Sequence, residues 1–293
     1  MARKKVIIEA RVNEYAMRDG NPNVPWSPDE IAVDAAACRA AGASIVHYHA
    51  RRDDGSPCHD ISRYAACIRA IRSRTDALIH PTIGQIAVSG DEARIAPIEA
   101  MARDPATRPD LAPLDMGSTN LDAYDAKSKR FRTDQKVYAN SIRSLTFLAQ
   151  RLRAAGVKPY LSVWTVPCVR TIEAFLDSGL ISEPALVAFV LTEGGLLGGH
   201  PGTVRGLESL VHFLPADRRI EWLVVCKEGN LLPIAAAALA LGGHISIGLG
   251  DYPYPELGSP TNSDVVREVV RLAQAAGREP ATPADVRSML SMV

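Results

Sequence analysis

Two histidines stand two residues apart at the end of an apolar run, Ile45-Val46-His47-Tyr48-His49-Ala50-Arg51. In a β-strand, side chains at i and i+2 share a face, so His47 and His49 point the same way while Val46 and Tyr48 point the other. Two neutral imidazoles side by side, completed by a carboxylate or water, suit a divalent metal such as zinc with an open position that can polarise a carbonyl. The same spacing also fits two hydrogen-bonded polar residues at a strand end, and the pattern is short enough that both readings stand. The turn-forming stretch Arg51-Arg52-Asp53-Asp54-Gly55 follows at once, which puts the pair at the strand's C-terminal end.

The elements around this pair repeat. Apolar runs at 6–10, 44–49, 77–82, 111–116, 160–164, 186–191, 221–225 and 244–249 are mostly continuous rather than alternating, as expected of parallel strands covered by helices. Helical patterns lie between them at 28–41, 60–73, 91–103, 135–155, 169–178, 203–214 and 231–241, with two more at 262–276 and 283–289. Ser27-Pro28-Asp29-Glu30 has the chemistry of a helix start, and Gly42, Gly156, Gly179 and Gly242 stand where helices should stop. Eight strands, each followed by a helix, predict a (β/α)8 TIM barrel of class α/β, a single domain over 1–293 with extra C-terminal helices. A doubly wound open sheet is the alternative, but no glycine-rich loop follows the first strand.

In a barrel the strand C-termini converge on one mouth, where distant residues form one site. Glu14 follows strand 1; His47, His49 and Arg51 follow strand 2; His80 and Thr82 lie on strand 3. Ser118, Thr119 and Asn120 come after strand 4, Thr165 after strand 5, Glu193 after strand 6, Glu228 after strand 7 and Asp251 after strand 8. The loop Glu193-Gly194-Gly195-Leu196-Leu197-Gly198-Gly199-His200-Pro201 could cradle an anion with the helix expected near Thr203, or be a plain connection. His244, at the bottom of strand 8, reads as structural, and His59 and His212 as surface or helix-cap residues. His80 fits either a buried, satisfied histidine or a ligand.

Composition narrows the function. With 33 basic and 33 acidic residues the formal net charge is zero, which gives no support for nucleic acid or an anionic membrane as partner. No run approaches the length of a membrane span. The basic start at residues 1–5 leads into an apolar stretch broken by Glu9 and Arg11, too soon for a signal peptide. Five scattered cysteines without a CxxC spacing suggest reduced thiols and a cytoplasmic protein.

Several segments together resemble the β-keto acid cleavage enzymes, the group that includes 3-keto-5-aminohexanoate cleavage. They are Pro28-Asp29-Glu30-Ile31-Ala32, Ala41-Gly42-Ala43, His47-Tyr48-His49, Asp53-Asp54-Gly55, Gly117-Ser118-Thr119-Asn120, Phe189-Val190-Leu191, Gly242-Gly243-His244-Ile245 and Ala281-Thr282-Pro283-Ala284, in order along the chain. The resemblance implies a zinc-dependent barrel, usually a homo-oligomer (dimer or tetramer), that exchanges an acyl group between a β-keto acid and acetyl-CoA to give acetoacetate and a new acyl-CoA. It implies His47 and His49 as metal ligands, Glu14, Thr82 and Ser118 in the substrate pocket, and Asp251 in proton transfer. Arg51 and Asn120 join the candidate substrate-binding residues, and Glu14 joins Asp251 as a candidate catalytic residue.

The chain departs from that pattern at strand 8. Gly250 stands where a third, glutamate metal ligand is expected, Ser246 where an active-site arginine is expected, and Thr165 where a glutamate is expected. Candidates to complete the metal site are Glu14, Glu228, His80 and Asp251. If Glu14 keeps its pocket role instead, it could pair with a substrate ammonium group. Tyr15, Met17 and Trp26 could add an apolar pocket wall. The alternatives to acyl exchange are a CoA-independent metal hydrolase or lyase acting on a carbonyl compound, and a non-catalytic binding protein on the same barrel.

Overall fold

The computed structural model of the chain describes residues 5–84 and 88–292; the basic start at 1–4 lies outside them. Eight parallel strands form the barrel: β1 (Ile8–Arg11), β2 (Ile45–Tyr48), β3 (Leu78–Pro81), β4 (Leu111–Asp115), β5 (Lys158–Val163), β6 (Ala185–Thr192), β7 (Ile220–Lys227) and β8 (His244–Ile247). They pair in the order β3-β2-β1-β8-β7-β6-β5-β4. The seam between β3 and β4 is bridged where Asp110 N–H donates to Ile79 O and the Asp110 carboxylate accepts from Ile79 N–H. Around the barrel run α1 (Pro28–Ala41), α2 (Ile61–Arg72), α3 (Asp91–Ala102), α4 (Ile142–Ala155), α5 (Val166–Asp177), α6 (Val204–Val211), α7 (Leu232–Ala240) and α8 (Asn262–Ala275). A further helix, α9 (Pro283–Met289), follows.

Strand alternation builds three levels inside the barrel. Outward residues such as Ile8, Ala10, Val46, Ile79 and Val224 join the helices in the large core. Inward residues at the strand starts (Ile7, Ile45, Leu78, Leu111, Leu186, Leu223) form a second core with Ala281, Val286 and Leu290, so α9 plugs the bottom of the barrel. One step higher the inward positions turn polar. Glu9, fully buried, accepts from Tyr160 Oη at 2.6 Å and Ser246 Oγ at 2.5 Å and lies 2.7 Å from His80 Nδ1. Above this layer the barrel opens.

The expected helix over 135–155 is corrected to Ile142–Ala155, because the Ser141 side chain caps the Ser144 N–H and sets the start there. The preceding segment instead makes short antiparallel pairs, Thr119–Asn120 with Val137–Tyr138 and Tyr124–Asp125 with Arg130–Phe131. The helix expected from 169 begins at Val166, with Thr165 at its N-cap and Pro167 in the first turn. Two long irregular segments meet over the mouth: Asn21 Nδ2 donates to Pro253 O and Pro260 O, and Asn23 Nδ2 to Ser259 O.

Candidate metal and substrate site

β1 and β2 pair in register Arg11↔His47, so the residues beyond them emerge side by side. Asn13 fastens the two ends: its amide donates to His49 O at 3.0 Å, and its side-chain oxygen accepts His49 N–H at 2.8 Å. The chain then turns at Glu14 with φ 36°, in the left-handed region that side-chain-bearing residues seldom adopt. Arg51 holds this turn. It is 1% exposed, and its guanidinium donates to the carbonyls of Asn13, Glu14 and Ala16 and, through Nε, to Gly55 O.

The turn aims the Glu14 carboxylate back at both histidines: Oε1 lies 2.8 Å from His47 Nε2 and Oε2 lies 3.1 Å from His49 Nε2. His47 Nδ1 sits 2.8 Å from His80 O, so that nitrogen carries the proton and donates it to the carbonyl. Burial, Arg11 and His80 push the His47 pKa well below 6.5, and burial lowers His49 as well, both in the direction that favours the neutral ring. His47 Nε2 is then a bare lone pair facing a carboxylate oxygen. A cation between them satisfies both, and a ligand histidine whose other nitrogen donates to a carbonyl is the usual outer-shell arrangement of metal sites. The three ligand atoms lie within 4.8 Å of one another, all buried. The donor set of two imidazoles and a carboxylate fits zinc.

A second group, Glu9, His47 and His80, also satisfies that spacing one level lower. There Glu9 already accepts from Tyr160 and Ser246, and His80 and Arg11 hold it at about 2 although burial works against its charge. His80 Nε2 and His49 Nδ1 are buried with no hydrogen-bond partner among the described residues.

Two cations frame the upper site. Arg11 contacts Glu14 and donates from Nε to Asp251 Oδ2 at 2.7 Å; Lys227 Nζ donates to Glu14 Oε2 at 3.1 Å and Asp251 Oδ1 at 3.0 Å. Burial disfavours the charges on Glu14 and Lys227, but Arg11 and Lys227 keep Glu14 well below the usual carboxylate range, while Asp251 and Glu14 raise Lys227. These residues open onto a cavity of about 780 Å3, also lined by Thr82, Tyr15, Met17 and Glu228.

The remaining sequence candidates have other places. Arg51 lies behind the turn rather than in the cavity lining. Ser118 Oγ accepts the Asn140 N–H at 2.8 Å, and Asn120 is exposed; neither is among the described residues lining the cavity. Trp26 packs under Arg18, 4.2 Å from its ring centroid. The glycine-rich loop is tied down, with Gly202 N–H on Glu193 and Thr119 Oγ1 donating to Gly198 O. His244 is structural, receiving Ile7 N–H on Nδ1 and contacting Glu221 through Nε2, and His212 is the C-cap of α6. All five cysteines are buried thiols. Sequence reasoning passed over Arg11 and Lys227. Their signal was the period of two: Ile7 just before β1 with Glu9 and Arg11 on it, and Leu223, Val225 and Lys227 on β7, run up the inside of the barrel.

A model of the β-keto acid cleavage enzyme family matches residues 5–292. The chain belongs to this family. Among relatives, the 3-keto-5-aminohexanoate cleavage enzyme of Acetoanaerobium sticklandii is 31% identical over 293 residues, covering 99% of each chain. The 3-oxoadipate:acetyl-CoA acetyltransferase of Cupriavidus necator is 26% identical, covering all of this chain and 96% of its own. Among solved structures, ObcA without ligand shares the fold at TM-score 0.74 and 16% identity over 92% of this chain, which spans 66% of ObcA's length. No helix among the described residues is long and apolar enough to cross a membrane. In this family member Ser246 and Gly250 stand at the end of strand 8, and the two cations beside the site are Arg11 on β1 and Lys227 on β7.

Proposed function

We propose that this chain catalyses metal-dependent acyl exchange between a β-keto acid and acetyl-CoA, with Glu14, His47 and His49 holding a divalent metal, zinc by donor chemistry. The observation that carries this reading is the convergence of the Glu14 carboxylate on both Nε2 atoms at the mouth of a cavity, in a member of this family. In the exchange, the C2–C3 bond of the keto acid breaks and C2 bonds to the acetyl carbon. Acetoacetate leaves, and the CoA sulfur ends on the remaining acyl group. The bound metal supplies a Lewis acid that polarises the keto oxygen.

The chain's own residues do the rest. Arg11 and Lys227 place two positive charges beside the cavity floor, where they favour the substrate carboxylate and the negative charge that develops as the bond breaks. Asp251, buried between them, keeps both cations charged and is the group we place in proton transfer. Thr82, at the top of β3, offers a hydroxyl to the substrate from the cavity wall. Arg51 is a positioning residue, holding the backbone that carries Glu14.

Purified protein loaded with zinc should consume a β-keto acid only when acetyl-CoA is present, forming acetoacetate, and His47→Ala should lose both metal and turnover. Turnover that survives without CoA would establish the hydrolase or lyase reading instead. Ligand-induced stabilisation without product, across a broad keto acid panel, would establish a binding protein.

A further inference from the structure

Opposite the metal-binding side, the mouth changes character. Tyr138, Trp164, Val190 and Val225, with Leu121 and Leu196 packed on them, form a hydrophobic cluster separate from both barrel cores, and all six line the cavity. Trp164, Val190 and Val225 sit at the upper ends of β5, β6 and β7, across the barrel from β1 and β2. The polar atoms of the two aromatic side chains are both engaged by one carboxylate: Trp164 Nε1 donates to Asp115 Oδ1 at 2.9 Å, and Tyr138 Oη donates to Asp115 Oδ2. With these atoms engaged, both rings join the apolar cluster that lines the cavity.

We infer that the acyl side chain this site accepts is uncharged and apolar, seated on this wall while the keto and carboxylate groups lie toward Glu14, Arg11 and Lys227. The inference rests on the acyl-exchange reading for the direction in which the substrate lies. Among the described lining residues, each buried or half-buried charged group already has a partner. Both oxygens of Asp115 are engaged by the wall's own rings, and Glu14 and Asp251 are each engaged by Arg11 and Lys227. Other charged lining residues, Asp19, Lys136 and Glu228, are exposed at the rim, where water already solvates them. An ammonium or carboxylate pushed against the wall would lose its hydration where every charged group is already partnered. An aliphatic chain gains there from burial alone.

The test compares three keto acids with acetyl-CoA on the zinc-loaded full chain: 3-oxo-5-methylhexanoate, 3-keto-5-aminohexanoate and 3-oxoadipate. The branched apolar acid should have the highest kcat/KM, by about tenfold or more over each charged one. Equal or better turnover of either charged acid overturns the inference while leaving acyl exchange intact. Should no keto acid turn over, the acyl-exchange reading fails, and binding decides the wall separately. Thermal shifts with hexanoate, 6-aminohexanoate and adipate should then show hexanoate stabilising most, and any other order overturns the inference. As a second variant, Leu196→Glu at the half-buried loop end of the wall should narrow the preference for the apolar acid over the aminated one by about tenfold with metal content unchanged. An unchanged preference overturns the inference.

Discussion

Glu14 and Gly250 share one space: a Cβ built at position 250 would lie 2.7 Å from Glu14 N and 2.8 Å from Glu14 Cγ. The turn that swings Glu14 onto the histidines passes so close to the end of β8 that only glycine fits beside it. The absence of a side chain at 250 and the position of the Glu14 carboxylate are therefore one structural fact. The register adds a parallel below, where Ser246 pairs with Glu9 and donates to its carboxylate. Small residues on the last strand face carboxylates of the first at both levels.

Gly250→Ala should accordingly disturb the site without replacing any of the proposed ligands. The new methyl meets backbone on Glu14 and Asn13, which cannot move as a side-chain tip can. We expect a loss of about 1–3 kcal/mol in unfolding free energy, measured by urea titration, together with weaker zinc binding by calorimetry.

Glu14→Gln keeps the shape of the side chain and removes its charge. Outer-shell changes alone typically cost 10- to 100-fold in metal affinity, so losing the carboxylate itself should cost at least about 100-fold. Zinc titration of the metal-free protein reads this without any assay of turnover. Undiminished affinity would exclude Glu14 as a ligand and return attention to the lower group of Glu9, His47 and His80.

Arg51→Lys should be poorly tolerated despite keeping the charge. A lysine cannot reach the carbonyls of Asn13, Glu14, Ala16 and Gly55 from one rigid fork. Buried carbonyls left without donors should lower stability by about 2–4 kcal/mol in chemical denaturation and release the left-handed turn at Glu14.

Asp34 gives a pH test away from the site. Burial raises its pKa from 3.8 to about 7, against the Asn262 amide that donates to it at 2.7 Å. Between those values the folded protein holds a proton that the unfolded chain has released, so stability falls as pH rises through that window and the cost is complete above about 7. Asp34→Asn should therefore raise stability at about pH 8 by roughly 1–2 kcal/mol and change little near pH 3, as followed by thermal unfolding.

The barrel was legible because its strands and helix stops follow simple periods and glycine positions. His47 and His49 were legible for the same reason, their spacing of two. Which carboxylate approaches them was not. Glu14, Glu228, His80 and Asp251 are all near strand ends, and only the left-handed turn at Glu14 decides which carboxylate reaches back across the gap between strands. Arg51 shows the opposite failure: an arginine after a metal-type motif suggested a substrate contact, yet its guanidinium lies under the turn. The short strands before α4 carry two residues each, too few for any periodic signal, and the start of α4 depends on a single cap at Ser141.

The Glu14, His47 and His49 cluster at the ends of β1 and β2 and the apolar wall at the ends of β5 to β7 occupy different sides of the mouth. The turn that carries Glu14 is fastened by Asn13 and Arg51 on its own side, and Lys227 is the tie to it from β7. Substitutions at Leu121, Val190, Leu196 and Val225 are thus a route by which one scaffold, keeping a constant reaction centre, could be retuned to a series of acyl groups, in nature or by directed evolution.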